Sequence, residues 1–427
     1  MGKTQHQNLI RKLIPCVLYT LIPLAVLHYY RYISPRCSVP TADKRLESTA
    51  TTDSITPLVQ EQEAEVKNLS WWDYSEGHWV QTRLEPLYNC TSCEAIKLGQ
   101  NCMLNGRSDT GYLYWQWQPK DTRCPPPVFD ASLFLRIIRN KHLAFIGGSI
   151  ARNQLESLIC LLSTGSKPEL VYKDSDEHKF RRWVFYEYNA TIWSFWTQFF
   201  VEGIQYNQSK GINHNTLYLD TPNEKWASEL DKIDIVVFSS GRWFAQKAIY
   251  YGEGNQLLGC NFPQENNCTD FNFFDAFRKA VRTSLKEVTK RFYKSDKAVV
   301  VANYTFAHFE GEWNEFATCP KTEPYKDGDA EMPYLENEMR KSAIEEVAMA
   351  VKDVKEMGGR LKIETLDVTK LTFLRRDAHP GPYMFPNPFA NGIKEKVQND
   401  CVHWCLPGPI DTWNAILLQL MKRWKDE

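Results

Sequence analysis

Apolar runs of strand length, separated by stretches with helical spacing, organise the body of this chain. "HLAFIG" (142–147), "IDIVVFSS" (233–240) and "KAVVVANY" (297–304) are rich in Val and Ile and lack polar alternation. That is the pattern of parallel strands buried on both faces. "IARNQLESLICLL" follows the first run at once with a helical pattern. "FNFFDAFRKAVRTSLKEVTKRF" (271–292) and "YLENEMRKSAIEEVAMAVKDVKEMGG" (334–359) also carry apolar residues at helical spacing, and the second ends on two glycines. A further strand, "RLKIETLDV", a Pro- and Gly-rich loop and a closing helix, "DTWNAILLQLMKRW", complete the order. An α/β fold follows, an open parallel sheet flanked by helices, with ligand chemistry expected at the C-terminal ends of its strands.

The N-terminal part is patterned differently. "LIPCVLYTLIPLAVLHYY" (13–30) contains no Asp, Glu, Lys or Arg and is long enough to cross a bilayer. A cleaved signal peptide is the competing reading, but the run is long for one and no A-x-A-like site follows, so a retained anchor is expected. Lys3, Arg11 and Lys12 before it nearly balance Arg31 and Arg36 after it, so flanking charge hardly orients the span. Thr, Ser, Pro and Glu then dominate up to Ser70, the composition of a flexible stem. The expected layout is a cytosolic tail (1–12), an anchor (13–30), a stem (31–70) and a body (71–427). The body opens on "WWDYSEGHWV" and "GYLYWQWQPKD", rich in Trp and Tyr, where disulfides are expected to carry much of the order.

Cysteines and sequons orient the chain. Ten of the 12 Cys, at 90, 93, 102, 124, 160, 260, 268, 319, 401 and 405, lie in the body, an even number that implies an oxidising compartment. N-x-S/T sequons at Asn68, Asn89, Asn189, Asn207, Asn267 and Asn303 point the same way. The body is therefore expected in a lumen, a type II topology. Zinc is the rival explanation for "CTSC" (90–93) and "CVHWC" (401–405), but where disulfides form no metal is expected.

Composition adds two limits. With 427 residues, 43% of them hydrophobic, the chain can build a sizeable core. Lys plus Arg number 51 against 52 Asp plus Glu, which offers no electrostatic case for nucleic acid. Aromatic residues make up 13%, with 14 Trp, and their flat faces suit sugar rings as well as cores.

Candidate chemistry starts at Ser149, between a strand and a helix. Gly147 and Gly148 permit a tight turn there, and a helix N-terminus offers free N–H groups to a developing oxyanion. On position alone Ser149 is either the polar cap of that helix or a nucleophile. In "NDCVHWCLPGPIDTW", Asp400 and His403 are three apart, close enough for the carboxylate to orient the imidazole as a serine nucleophile requires. The flanking Cys401 and Cys405 would brace that loop. Asp377 and His379 in "RRDAHPGPY" are a second pair, fit to orient substrate or to hold the loop. Gly241 in "VVFSSGRWF" is a candidate second oxyanion donor or an ordinary strand-ending turn.

"GGSIARNQLESLICLL" and "DCVHWCLPGPIDTWN", together with "WDYSEGHWV", "LNGRSDTGYLYWQWQP" and "FSSGRWF", resemble the plant trichome-birefringence-like family over nearly the whole chain after the stem. The resemblance implies an SGNH/GDSL-esterase-like three-layer sandwich (141–427) behind a disulfide-braced Trp/Tyr-rich segment (71–140). It implies a single-pass type II protein of the Golgi membrane that O-acetylates a cell-wall polysaccharide, working beside other wall-biosynthesis proteins. The family's serine falls on Ser149 and its Asp-x-x-His on Asp400 and His403, with Arg152 and Asn153 as helpers at the oxyanion. "FSSGRWF" followed by "YYGEGNQLLGCNF" is most similar to the members associated with galactose on xyloglucan side chains. Xylan or glucomannan as acceptor, a carbohydrate acetylesterase, and a wall-polysaccharide binding protein with impaired catalysis are the alternatives. No bound cofactor is implied, but an acetyl donor is required, either acetyl-CoA or an acetylated intermediate.

Two departures stand out. Gly148 occupies the middle of the family's Gly-Asp-Ser, and Trp72 and Thr122 stand where the family carries a pair of cysteines. The resemblance implies Cys93–Cys160, Cys102–Cys405, Cys260–Cys268 and Cys319–Cys401, with Cys90–Cys124 replacing the missing pair.

Overall fold

The computed structural model describes residues 72–426 except 175–178, 327 and 393–395. The expected tail, anchor and stem, and the sequon at Asn68, lie outside the described residues. Among those described, no helix is long and apolar enough to cross a membrane.

The apolar runs form the centre of a seven-stranded sheet. β3 (His142–Gly147), β9 (Ile235–Ser239), β12 (Ala298–Ala302) and β13 (Lys362–Leu366) are parallel. A further parallel strand, β6 (Ala190–Trp196), lies on the other side of β3. β5 (Arg181–Phe185) and β4 (Glu169–Lys173) close that edge antiparallel, giving the order β13-β12-β9-β3-β6-β5-β4. β6 reads as aromatic and mixed, "ATIWSFW", and so lacks the aliphatic signature of its neighbours.

Alternate residues of the central strands feed two cores. Leu143, Phe145, Ile235 and Val237 pack on one face with the helices α1 (Ala131–Ile137), α2 (Ser149–Ser163) and the closing α5 (Ile410–Asp426). Ala144, Ile146, Val236 and Phe238 pack on the other with α3 (Phe273–Phe292) and α4 (Tyr334–Glu356). This is a three-layer α/β sandwich whose strands are buried on both faces, as their composition requires. α3 starts two residues later than its periodicity because the Asn272 side chain accepts the Asp275 N–H at 2.8 Å and caps it. A second sheet, β11 (Leu257–Cys260), β10 (Ala248–Tyr251), β8 (Asn215–Pro222) and β7 (Val201–Ile204), shares the second core.

The Trp-rich opening of the body makes a two-stranded ladder, β1 (Gly77–Gln81) with β2 (Trp115–Pro119). Trp79 and Trp117 meet edge to face, 5.5 Å between centroids, and belong to the first core. Their indole N–H groups donate to Leu371 O and Tyr74 O, which satisfies the polar end of each buried ring.

Disulfides join Cys93 to Cys160, Cys102 to Cys405, Cys260 to Cys268 and Cys319 to Cys401. The expected Cys90–Cys124 bridge is not formed. Cys90 is disulfide-bonded elsewhere and Cys124 is a free, buried thiol beside Tyr74, its Sγ 3.7 Å from Pro125 O. The sequon at Asn303 also needs correction. Its side chain is 1% exposed and donates to Asp367 Oδ1 at 2.6 Å while accepting the Val368 N–H, so the folded chain has no room for a glycan there. Asn89, Asn189 and Asn267 are exposed and Asn207 is half-buried.

Candidate active site

The order of strands places a crevice where β3 meets β9. From β3 the chain first builds β4, β5 and β6 on one side, working back from the sheet edge, and only later β9 on the other, and such a reversal opens a gap at the C-terminal ends of the two central strands. Gly147 pairs with Ser239 across that gap, and a Cβ on Gly147 would lie 1.9 Å from Ser239 O, so only glycine fits. The turn therefore delivers Ser149 as the first residue of α2, where the first-turn N–H groups have no intrahelical acceptor. After β9, Gly241 sits at φ 153°, and a Cβ there would press on the Tyr304 ring at 2.9 Å. Both turns line one cavity of about 340 Å³, together with Ser149, Trp243, Gln246, Asp400 and His403.

His403 is oriented from below. Its Nδ1 is 2.7 Å from Asp400 Oδ2, and Asp400 Oδ1 accepts the backbone N–H groups of Val402 and His403 at 3.0 and 2.9 Å. A carboxylate accepts, so Nδ1 carries the proton and the lone pair falls on Nε2. That Nε2 is buried and makes no hydrogen bond to the protein. Burial by itself would raise the Asp400 carboxyl, but the charge and hydrogen bonds of His403 and the Val402 N–H outweigh it and hold the group at about 2. The arrangement supplies an imidazole base and a carboxylate that fixes its tautomer, in the same cavity as a serine hydroxyl at a helix N-terminus.

The loop bearing Asp400 and His403 is tied down from several sides. Asp400 pairs with Gly381 through two backbone hydrogen bonds, and Cys405 N–H donates to Ala378 O. The bridges Cys319–Cys401 and Cys102–Cys405 hold both ends. Leu406 N–H donates to Gln100 O, and the Arg107 guanidinium donates to His379 O and Asp377 O at 2.8 and 2.7 Å. The Trp-rich opening segment thus buttresses the loop that carries Asp400 and His403.

Several residues expected at the site lie behind it. Asn153 is 1% exposed, does not line the cavity, and its amide holds the Trp404 backbone from both sides. Arg152 is buried over the Trp196 ring, 4.7 Å from its centroid, and does not line the cavity. Asp377 forms a two-pronged ion pair with Arg375 at 2.8 and 2.9 Å, and His379 stacks on Trp404. Neither faces the cavity, so this pair holds the loop and does not touch substrate.

Two contributors were missed in the sequence. Trp243 fills the space beside Gly148: a Cβ on that glycine would lie 2.7 Å from the indole Nε1. His308 reaches His379 across 71 residues. The place of the first in "FSSGRWF" is a signal that could have marked it, whereas no local signal marks the second. Among the described residues there is no group of three or more His, Cys, Asp or Glu side chains placed to hold a metal.

Comparison with known proteins places these features in context. Residues 127–420 match the GDSL/SGNH-like acyl-esterase family found in Pmr5 and Cas1p, and residues 72–124 match the PMR5 N-terminal domain. Xyloglucan O-acetyltransferase 1 of Populus trichocarpa is 46% identical over 422 residues, covering 98% of this chain and 95% of the relative. Xyloglucan O-acetyltransferase 1 of Arabidopsis thaliana is 42% identical over 436 residues and matches both chains at 100% coverage. Protein trichome birefringence-like 25 of Arabidopsis thaliana is 40% identical over 352 residues, covering 81% of this chain and 75% of the relative.

Proposed function

Because the chain belongs to the GDSL/SGNH-like acyl-esterase family found in Pmr5 and Cas1p, we propose that it is a polysaccharide O-acetyltransferase acting on xyloglucan, with galactose of the side chains as acceptor. The observation that carries the reading is the shared cavity of Ser149, Asp400 and His403, in a chain whose full-length relatives bear the name of that activity.

The reaction is a double displacement. His403 Nε2 takes the Ser149 proton as Oγ attacks the carbonyl carbon of an acetyl donor, and the N–H groups of Ser149 and Gly241 receive the oxyanion. The donor's leaving group departs with the proton from His403, which leaves acetyl-Ser149. A sugar hydroxyl gives its proton to His403 and attacks the same carbon, and Ser149 leaves as the free hydroxyl. Trp243, Met384 and Gln246 on the cavity wall offer a flat ring, an apolar surface and an amide to the acceptor.

The chain works from the Golgi membrane in type II orientation, a reading supported by the uncharged run 13–30, the disulfides among the described residues and the exposed sequons. Glycosidase sensitivity and protease protection of a tagged chain in microsomes test it. A trimmed tail in intact vesicles with a protected body is expected, and a cleavable body overturns the orientation.

Purified protein and its Ser149→Ala variant, incubated with an acetyl donor and unacetylated xyloglucan, xylan or glucomannan, test the activity. Acetyl transfer to xyloglucan, absent in the variant, is expected. Transfer only to another polymer changes the acceptor, release of acetate without transfer makes the protein an esterase, and glycan binding without either makes it a binding protein.

A further inference from the structure

Beneath His403 lie two histidines that the reaction above does not use. His379 Nδ1 is 2.7 Å from His403 O, His379 Nε2 is 2.8 Å from His308 Nδ1, and His308 Nε2 is 2.9 Å from Phe373 O. A carbonyl oxygen only accepts, so each outer ring nitrogen must bear a proton to bond it, and the inner contact needs one more. Three hydrogen bonds therefore require three ring protons, while two neutral imidazoles carry two. A neutral pair sets a lone pair against an oxygen or against another lone pair, at residues only 7% and 3% exposed.

We propose that His308 and His379 are positioning residues for His403 that count protons. The pair completes its line from Phe373 to the His403 carbonyl only with one proton beyond neutrality, and in that state the loop bearing Asp400 and His403 is held most tightly.

The surroundings fit a strut. The His379 ring stacks on Trp404 at 4.2 Å, and Trp404 is the residue whose backbone Asn153 clamps to α2. The backbone N–H of His308 donates to Cys401 O, so both rings hang from the loop they support. Asp400 and His403 face the pair from that loop, Arg376 from the segment of His379, Arg242 from the turn after β9, and Arg107 from the opening segment through His379 O. Burial pulls both rings below the usual imidazole range, His308 to about 4, with Arg376 and Arg242 acting in the same direction and Asp400 drawing His379 upward. Proton uptake therefore falls on the acid side of ordinary histidine.

This gives a sign that an inert packing role would not give. Histidines with lowered folded values contribute stability that is present above the unfolded value near 6.5 and is lost as pH falls towards 4. The whole fold weakens in that window while the strut tightens, so local protection and global stability move in opposite directions.

The test uses the full-length protein labelled with nitrogen-15 in histidine, with His308→Gln for assignment. Ring shifts are followed between pH 3 and 7.5, hydrogen exchange of residues 400–405 is measured at each pH, and a fluorophosphonate reports Ser149 reactivity. One proton entering the pair, with shifts in both rings, is expected. Exchange at 402–404, corrected for its intrinsic pH dependence, should slow about tenfold across that step. His308→Gln should abolish the slowing, and the wild-type titration reads the step even if that variant fails to fold. Single neutral tautomers in both rings throughout the range, or exchange that follows global stability, overturns the proposal. The functional consequence rests on His403 being the base for Ser149. An unreactive Ser149 at every pH would defeat that reading alone, because the ring and exchange measurements still decide the strut.

Discussion

Asn153 holds Trp404 at both ends of one backbone unit: its Oδ1 accepts the Trp404 N–H at 2.8 Å and its Nδ2 lies 3.3 Å from the Trp404 carbonyl. One side chain thereby ties the helix that begins at Ser149 to the loop that carries His403, across 251 residues of sequence. Asn153→Ala leaves a buried N–H unpaired, at a cost of about 1–3 kcal/mol. It should lower kcat roughly 10- to 100-fold with little change in KM, since the nucleophile and base lose their mutual registration. Asn153→Asp should not rescue it, because a carboxylate cannot donate to the Trp404 carbonyl. Steady-state acetyl transfer and thermal unfolding of both variants check this.

Asp400 has a different signature. Its carboxyl is held at about 2 in the folded chain, below the ordinary 3.8, by His403 and the Val402 N–H against the effect of burial. A depressed acid contributes stability that is present above the ordinary value and lost as pH falls through the folded one. Asp400 should therefore stay ionised between pH 4 and 7, and an acid limb of kcat/KM in that window should not come from this carboxylate. Asp400→Asn should reduce kcat by about 10⁴-fold, the scale seen when a triad histidine adopts the wrong tautomer. Carbon-13 carboxyl shifts that show Asp400 taking up its proton between pH 4 and 7 would contradict the assignment.

Gly148 offers a test of the departure from Gly-Asp-Ser. A Cβ at this position meets the Trp243 indole at 2.7 and 2.9 Å, so Gly148→Ala and Gly148→Asp must displace a ring that forms part of the cavity wall. KM for the polysaccharide should rise several-fold in Gly148→Ala. Trp243→Ala should relieve the clash, so the double variant Gly148→Asp with Trp243→Ala should be less impaired than the product of the two single effects. Independent effects would show that Trp243 does not answer for the missing carboxylate.

The disulfides should rank by what they hold. Replacing Cys102 and Cys405 by Ser removes a bridge that closes 303 residues and anchors the loop after His403. A loss of about 2–5 kcal/mol is expected, with a marked fall in transfer. Replacing Cys260 and Cys268, which close 8 residues at the end of β11, should leave kcat nearly unchanged. Denaturant unfolding and rate measurements on both double variants separate the cases.

Residues whose role is local were legible in the sequence. The placement of Ser149 at a helix start after a strand and two glycines, the contact of Asp400 with His403 three residues on, and the buried Val-rich strands are each set within a few positions. Residues whose role depends on a distant partner were not. Asn153 reads as an oxyanion helper until its amide is found on Trp404, and whether Asp377 and His379 orient substrate or hold the loop stays open until His308 and Trp404 are seen around the ring. β6 escaped because Thr, Ser and aromatic residues interrupt its few aliphatic ones. The Cys90–Cys124 pairing failed because counting cysteines cannot show that one thiol lies sealed against Tyr74.

The buttress from the opening segment has a consequence for how such proteins can be recombined. Gln100, Cys102 and Arg107 belong to one matched family and the loop they secure belongs to the other, so the junction near residue 125 is no seam. A chimera that grafts a foreign opening onto this esterase fold would exchange part of the catalytic mounting along with it. If the cavity takes the acceptor as proposed, its preference is better altered at the wall residues Trp243, Gln246 and Met384 than by such a graft.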